Sequence, residues 1–131
     1  MEIRVTSGAM ATLRKEAQLA APNEACGLLL GQGGVIENAQ LCANVSPDPA
    51  RHFEIDPAAL IAAHKAEREG GPQLIGYWHS HPNGLSDPSA TDREQATGDG
   101  RVWAIVADEG VTFWQDTIDG FEALPTRLIE G

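Results

Sequence analysis

Apolar and polar positions along the 131-residue chain change period several times, and each change marks an element. Residues 2–6 alternate with the two-residue period of a short strand. From Ser7, a natural N-cap, Met10, Leu13, Ala17 and Ala20 recur at helical spacing. That predicts a helix to about residue 20, stopped by Pro22-Asn23. Residues 24–31 form a continuous apolar run after Glu24, the mark of a buried strand. Gln32-Gly33-Gly34 is a hairpin signal, and 35–45 is the returning strand. Ser46-Pro47-Asp48-Pro49 reads as loop and 51–55 as a short strand. Asp56 caps a second helix with Pro57 in the favoured first position. Leu60, Ile61, Ala63 and His64 give that helix its inner stripe, and Gly70-Gly71-Pro72 ends it. Residues 73–79 are a third buried strand, 82–88 a polar loop, and Ser89 to about Thr97 a short helix. Three strands, 101–107, 110–117 and 119–124, finish the chain, with turns at Asp108-Glu109-Gly110 and Asp119-Gly120.

This order predicts the α/β class: an α/β sandwich with a mixed or largely antiparallel central sheet flanked by helices. No repeat, linker or low-complexity tract interrupts it, so residues 1–131 are read as one domain. The 14 glycines and 8 prolines agree with many turns. No run reaches the roughly 18 apolar residues of a membrane helix, and the N-terminus lacks the basic-then-apolar layout of a signal peptide. A soluble, cytoplasmic protein is expected, with no membrane partner.

Nine Lys and Arg against 19 Asp and Glu give a formal net charge of −10. Nucleic-acid binding rests on cations that neutralise phosphates, so a nucleic-acid partner is disfavoured. Cys26 and Cys42 lie in apolar runs, outside any C-x-x-C pair, and read as small core residues rather than a disulfide framework.

The candidate chemistry lies in His79-Ser80-His81-Pro82 and Ser89-Ala90-Thr91-Asp92. In an extended chain, residues two apart point to the same side, so His79 and His81 can chelate one ion. Asp92, one turn into the following helix, can supply a carboxylate oxygen. Two nitrogens and one oxygen match the ligand count of a catalytic zinc site with a fourth position left for water; iron, manganese and nickel accept similar sets. A general base is needed besides the ligands, and Glu24, at the head of an apolar strand, is the best candidate. The Ser89 hydroxyl can reach a developing oxyanion. Each residue also has a plain structural reading. H-x-H alone is weak, Ser89-x-x-Asp92 resembles a capping box with Asp for Glu, and Glu24 can be a solvated strand end. His52 and His64 have no ligand set near them, and Asp87 and Asp99 read as turn residues.

Taken together, Glu24 followed by His79, His81, Ser89 and Asp92 resembles the signature of the JAMM (MPN-type) metalloproteases, an upstream Glu and then H-x-H-x7-S-x2-D. The flanks Pro22–Gly31 and Tyr77–Pro82 are similar too, and the likeness spans about residues 1–115. The resemblance implies a cytidine-deaminase-like α/β sandwich and a zinc (Zn2+) hydrolase of peptide or isopeptide bonds. In it, His79, His81 and Asp92 bind the metal, Glu24 is the acid/base and Ser89 steadies the oxyanion. It implies as partner the C-terminal tail of a ubiquitin-like or sulfur-carrier protein, held extended beside a strand edge. The absence of long insertions after Asp92 points to the small prokaryotic members. Two other readings stay open: a peptidase of phage-tail or cell-wall peptides, and a metal-binding interaction module without turnover, since RadC-like proteins share the His-x-His-Pro segment.

Overall fold

The computed structural model describes residues 2–131; Met1, the first residue of the span read as one domain, lies outside the described residues. The elements follow in the order β1 (Ile3–Thr6), α1 (Ser7–Ala20), β2 (Cys26–Gln32), β3 (Val35–Cys42), α2 (Pro57–Arg68), β4 (Gln73–Ser80), α3 (Ala90–Gln95), β5 (Val102–Ala107), β6 (Gly110–Thr117), β7 (Gly120–Ala123) and β8 (Thr126–Ile129). The strands form one mixed sheet in the order β7-β6-β5-β4-β2-β3-β1-β8. The β2–β3 and β2–β4 pairs are antiparallel, whereas β4–β5, β1–β3 and β1–β8 are parallel. The expected α/β sandwich with a mixed central sheet is therefore the observed architecture. Among the described residues no helix is long and apolar enough to cross a membrane.

Each sheet face buries its own set of side chains. On one, Ala9 and Leu13 of α1 pack with Val5, Leu29, Ile36, Trp78 and Val106, and Met10, Ala17 and Ala20 extend the helix stripe. On the other, Leu28, Leu74, Trp103, Phe53 and Ile55 pack beneath Ala59, Leu60 and Ala63 of α2. Trp78 spans three strands: its indole Nε1 donates to the Gln40 carbonyl at 3.1 Å, crossing β2 at Gly27. A Cβ on Gly27 would overlap the Gln40 carbonyl oxygen and crowd that indole, so this position of β2 requires glycine.

Four expectations are corrected. The N-cap of α1 is Thr6, not Ser7; its hydroxyl accepts from Ala9 N at 3.1 Å. Ile61 faces solvent, 69% exposed, because the inner stripe of α2 falls on Ala59, Leu60 and Ala63. Residues 51–55 contribute only an isolated bridge, Asn44 to Ile55, rather than a strand. A further strand, β8, runs parallel to β1 beyond the expected end of the sheet. Asp56 does cap α2, with Pro57 in its first turn, as expected. Both cysteines are buried free thiols, and they face each other across β2 and β3. Burial pushes the Cys26 thiol up to about 12, so in the metal-free protein it stays protonated.

Candidate metal centre

The sheet register assembles the site. In β2 and β4, Cys26 lies opposite His79; continuing that antiparallel register by two residues sets Glu24 opposite His81. Two bonds lock the junction: Ala25 N donates to Ser80 Oγ at 2.8 Å, and Ser80 N donates to Ala25 O at 3.0 Å. His79 lies at the end of β4 and His81 just beyond it, and the parallel neighbour β5 holds the chain there, with His81 N donating to Val106 O at 2.9 Å.

Three buried donors converge. His79 Nε2 and His81 Nε2 are 2.9 Å apart, and each lies 3.0–3.1 Å from the Asp92 carboxylate. Asp92 is delivered by α3 through a complete capping box. Asp92 N donates to Ser89 Oγ at 3.0 Å, and Ser89 N donates back to Asp92 Oδ2 at 2.9 Å. The capping-box reading of Ser89-x-x-Asp92 is the observed one, and the same box that starts the helix sets the Asp92 carboxylate against the two histidines.

The donor set fits a metal ion. His81 Nδ1 lies 2.7 Å from the Leu85 carbonyl, which can only accept, so Nδ1 carries the proton. In the neutral ring, Nε2 then presents its lone pair to the shared point. Two imidazole nitrogens and a carboxylate, all buried and facing one another, need a cation or a proton between them. In the metal-free protein the protons partly supply it. Burial raises the Asp92 carboxyl, but hydrogen bonds from both histidines outweigh it and hold it well below the usual carboxylate range. Burial lowers His81, but its bonds to Asp92 and the Leu85 carbonyl prevail and raise it. For His79, fully enclosed, burial wins and the pKa falls.

Glu24 is buried at the edge of this cluster. Desolvation is the main cause that raises its carboxyl to about 7; His81 opposes the shift and Asp92 adds to it. A carboxyl poised near neutrality is suited to exchanging a proton in either direction. Beside His81 a cleft of about 540 Å³ opens between α1 and the ends of β4 and β5, with Arg14, Gln18, Asp108 and Glu109 on its walls. All four are exposed, so it is an open groove and not an enclosed pocket. Asp99 accepts from Arg101 N, a turn role as expected.

The sequence pattern did not single out several residues that shape the site. Phe53 stacks on His79 with ring centroids 4.2 Å apart at 17°, and Trp103 meets the same imidazole edge-on at 5.8 Å. Asn44, read as the end of a strand before a Pro-rich loop, bonds the Glu24 backbone. Asp116 is buried on β6 and accepts from Thr97 N and Gly98 N, pinning the chain that leaves α3. Replacing Asp116 with Ala strands both amides, and a loss of about 1–3 kcal/mol is expected in denaturant unfolding. A change under 0.5 kcal/mol would mean that solvent replaces the carboxylate.

Known proteins resemble this arrangement at several levels. A family model described as prokaryotic homologs of the JAB domain matches residues 6–117. A desampylase of Haloferax volcanii is 35% identical over 110 residues, covering 82% of this chain and 79% of the relative. A probable TtuB-protein conjugate cleaving protease of Thermus thermophilus is 40% identical over 76 residues, which is 58% of this chain and 51% of that protein. A protein of Desulfitobacterium hafniense, solved in solution, superposes with a TM-score of 0.85 at 30% identity, over 98% of this chain and 94% of that one.

Proposed function

The chain belongs to the family of prokaryotic homologs of the JAB domain, and from that premise we propose that it is a zinc-dependent isopeptidase of one JAMM/MPN domain, residues 1–131. It hydrolyses the bond that joins the C-terminal tail of a ubiquitin-like or sulfur-carrier protein to its conjugate. The observation that carries this reading is the buried convergence of His79, His81 and Asp92, with Glu24 opposite His81 in the continued backbone register and its buried carboxyl within the electrostatic reach of His81 and Asp92. The bond class is supported by the relatives, one named a desampylase and one a conjugate-cleaving protease.

His79 Nε2, His81 Nε2 and Asp92 hold the zinc. When bound, it supplies Lewis acidity, bringing the pKa of water toward ~7 and polarising the scissile carbonyl. Glu24 accepts the proton of the attacking water and hands it to the departing amine, using one carboxyl in both directions. Ser89 Oγ already accepts from Asp92 N, and a hydroxyl keeps its own proton to donate, so it can steady the oxyanion while still capping α3. Beyond Ile36, β3 is flanked only by β2 among the described strands, leaving an edge beside the site against which an extended tail can pair.

The test uses the zinc-loaded protein and a ubiquitin-like protein linked through its C-terminal glycine to a lysine of a second protein. Release of the intact tail is expected, stopped by a chelator and restored by zinc. A folded His79→Ala variant that cleaves at the wild-type rate would overturn the reading.

A further inference from the structure

The segment between β3 and α2 supplies no reacting group, yet it reaches both halves of the site. Asn44, half-buried just past β3, makes four hydrogen bonds. Its Nδ2 donates to the carbonyl oxygens of Glu24 and His52, both at 3.0 Å. Its Oδ1 accepts from Ser46 N at 3.1 Å and Glu54 N at 3.0 Å. A primary amide has two N–H donors and two lone pairs on oxygen, so the whole capacity of the side chain is used. Ser and Asp cannot reproduce it, one lacking a donor and the other both.

The four partners are informative. His52 O and Glu54 N flank Phe53, so the amide fixes the backbone from which that ring projects. The ring lies on the His79 imidazole. On the opposite side the amide holds the Glu24 carbonyl, and Glu24 N donates to Pro49 O at 2.7 Å in the same segment. The two histidines are thus oriented by different means. Both Nε2 atoms face Asp92, but on the Nδ1 side His81 is held by the Leu85 carbonyl, whereas His79 Nδ1 has no hydrogen-bond partner among the described residues and its ring is packed by Phe53 and Trp103. An imidazole set by stacking depends on where the stacking ring is anchored.

We propose that Asn44 is a positioning residue that keeps the Glu24 backbone and, through Phe53, the His79 ring in a single register. The role rests on the reading of Glu24 and His79 given above. It predicts that one amide controls both the metal ligand and the acid/base, although it touches neither reacting atom.

The discriminating variant is Asn44→Asp. A carboxylate still accepts from Ser46 N and Glu54 N, so the loop bonds survive, but it cannot donate to Glu24 O or His52 O and turns lone pairs against them. Wild type, Asn44→Asp, Asn44→Ala, Phe53→Leu and Phe53→Tyr are compared by zinc affinity in chelator competition, by kcat and KM on the isopeptide substrate, and by melting temperature. Asn44→Asp and Asn44→Ala are expected to lower zinc affinity and kcat by roughly 10–100-fold each, the range seen when support of a ligand histidine is lost, with KM within about twofold. Phe53→Leu lowers zinc affinity alike, and Phe53→Tyr, which keeps a ring to stack, restores it. Asn44 variants that melt earlier yet keep wild-type zinc affinity and kcat would overturn the proposal and leave Asn44 a loop tether. If the wild type cleaves no conjugate, the zinc-affinity arm still decides the Asn44–Phe53–His79 link, and only the assignment of activity falls.

Discussion

Replacing Glu24 by Gln is expected to reduce turnover on the isopeptide substrate by about 100- to 10,000-fold, the usual contribution of a positioned acid/base, while zinc content stays at the wild-type level. Gln keeps the shape but can neither take nor return a proton. The same substitution is expected to stabilise the zinc-free protein. The folded carboxyl titrates near 7 and an unfolded one near 4.5. Below pH 4.5 both states are protonated and Glu24 contributes nothing. Between 4.5 and 7 the unfolded chain releases its proton and the folded one retains it, so stability falls as pH rises; above 7 the full penalty stands. Zinc-free Glu24→Gln should therefore match wild type at pH 4 and exceed it at pH 8, by roughly 1–3 kcal/mol. Denaturant unfolding in chelator at both pH values measures this. Equal stability of the two proteins at pH 8 would mean that Glu24 is solvated and not poised. Lost activity together with gained stability is the signature of a carboxyl buried for its chemistry, whereas a structural Glu24 would lose both.

The cluster of His79, His81 and Asp92 was legible because its geometry is local. His79 and His81 sit two apart on a strand end, and Asp92 follows Ser89 in a capping box, so spacing alone nearly fixes where the side chains point. Glu24 was legible for a different reason: a carboxylate at the head of a wholly apolar run conflicts with burial unless it has a task. Phe53 and Asn44 were not legible, since their partners lie elsewhere in the chain. Nothing near Phe53 in sequence announces His79, and Asn44 reads only as part of the end of a strand before Ser-Pro-Asp-Pro. The lost strand at 51–55 has the same origin. The Asn44 side chain takes the His52 carbonyl and the Glu54 amide, groups that a regular ladder would pair with backbone. Strand β8 escaped because Thr126, Arg127 and Leu128 are exposed and carry no alternation; its register is dictated by β1, more than a hundred residues earlier. Ile61 shows the converse limit. Helical period marks an apolar position, but α2 seats its alanines against the sheet and leaves Ile61 outside.

Removing a ligand should abolish the response to metal, and the response itself should depend on pH in a direction that the site dictates. In the zinc-free protein, Asp92 titrates well below its unfolded value, so its contribution to stability is present above pH ~4 and is lost as pH falls through the lowered pKa. His81 titrates above its unfolded value, so its contribution is complete below pH ~6.5 and is lost as pH rises through the raised pKa. Glu24 adds a penalty that grows from 4.5 to about 7. These three favour mildly acidic solution for the zinc-free protein, where a proton occupies the position between the nitrogens and the carboxylate, while His79, whose pKa burial lowers, opposes them because below pH ~6.5 only its unfolded form takes up a proton. Zinc competes with that proton, and its binding is favoured as the ligands lose theirs. The zinc-induced rise in melting temperature should therefore be small near pH 5 and large near pH 8. His79→Ala and Asp92→Asn should lose it at both, with zinc affinity down by more than the roughly 100-fold that follows loss of an outer-shell partner. Asp92→Asn is the sharper of the two. Its amide oxygen can still accept from Ser89 N, so the start of α3 is preserved and only the charge facing the histidines is removed. A zinc shift that survives in Asp92→Asn, or one larger at pH 5 than at pH 8 in wild type, would mean that the cation is held elsewhere and that the cluster is a proton-sharing core.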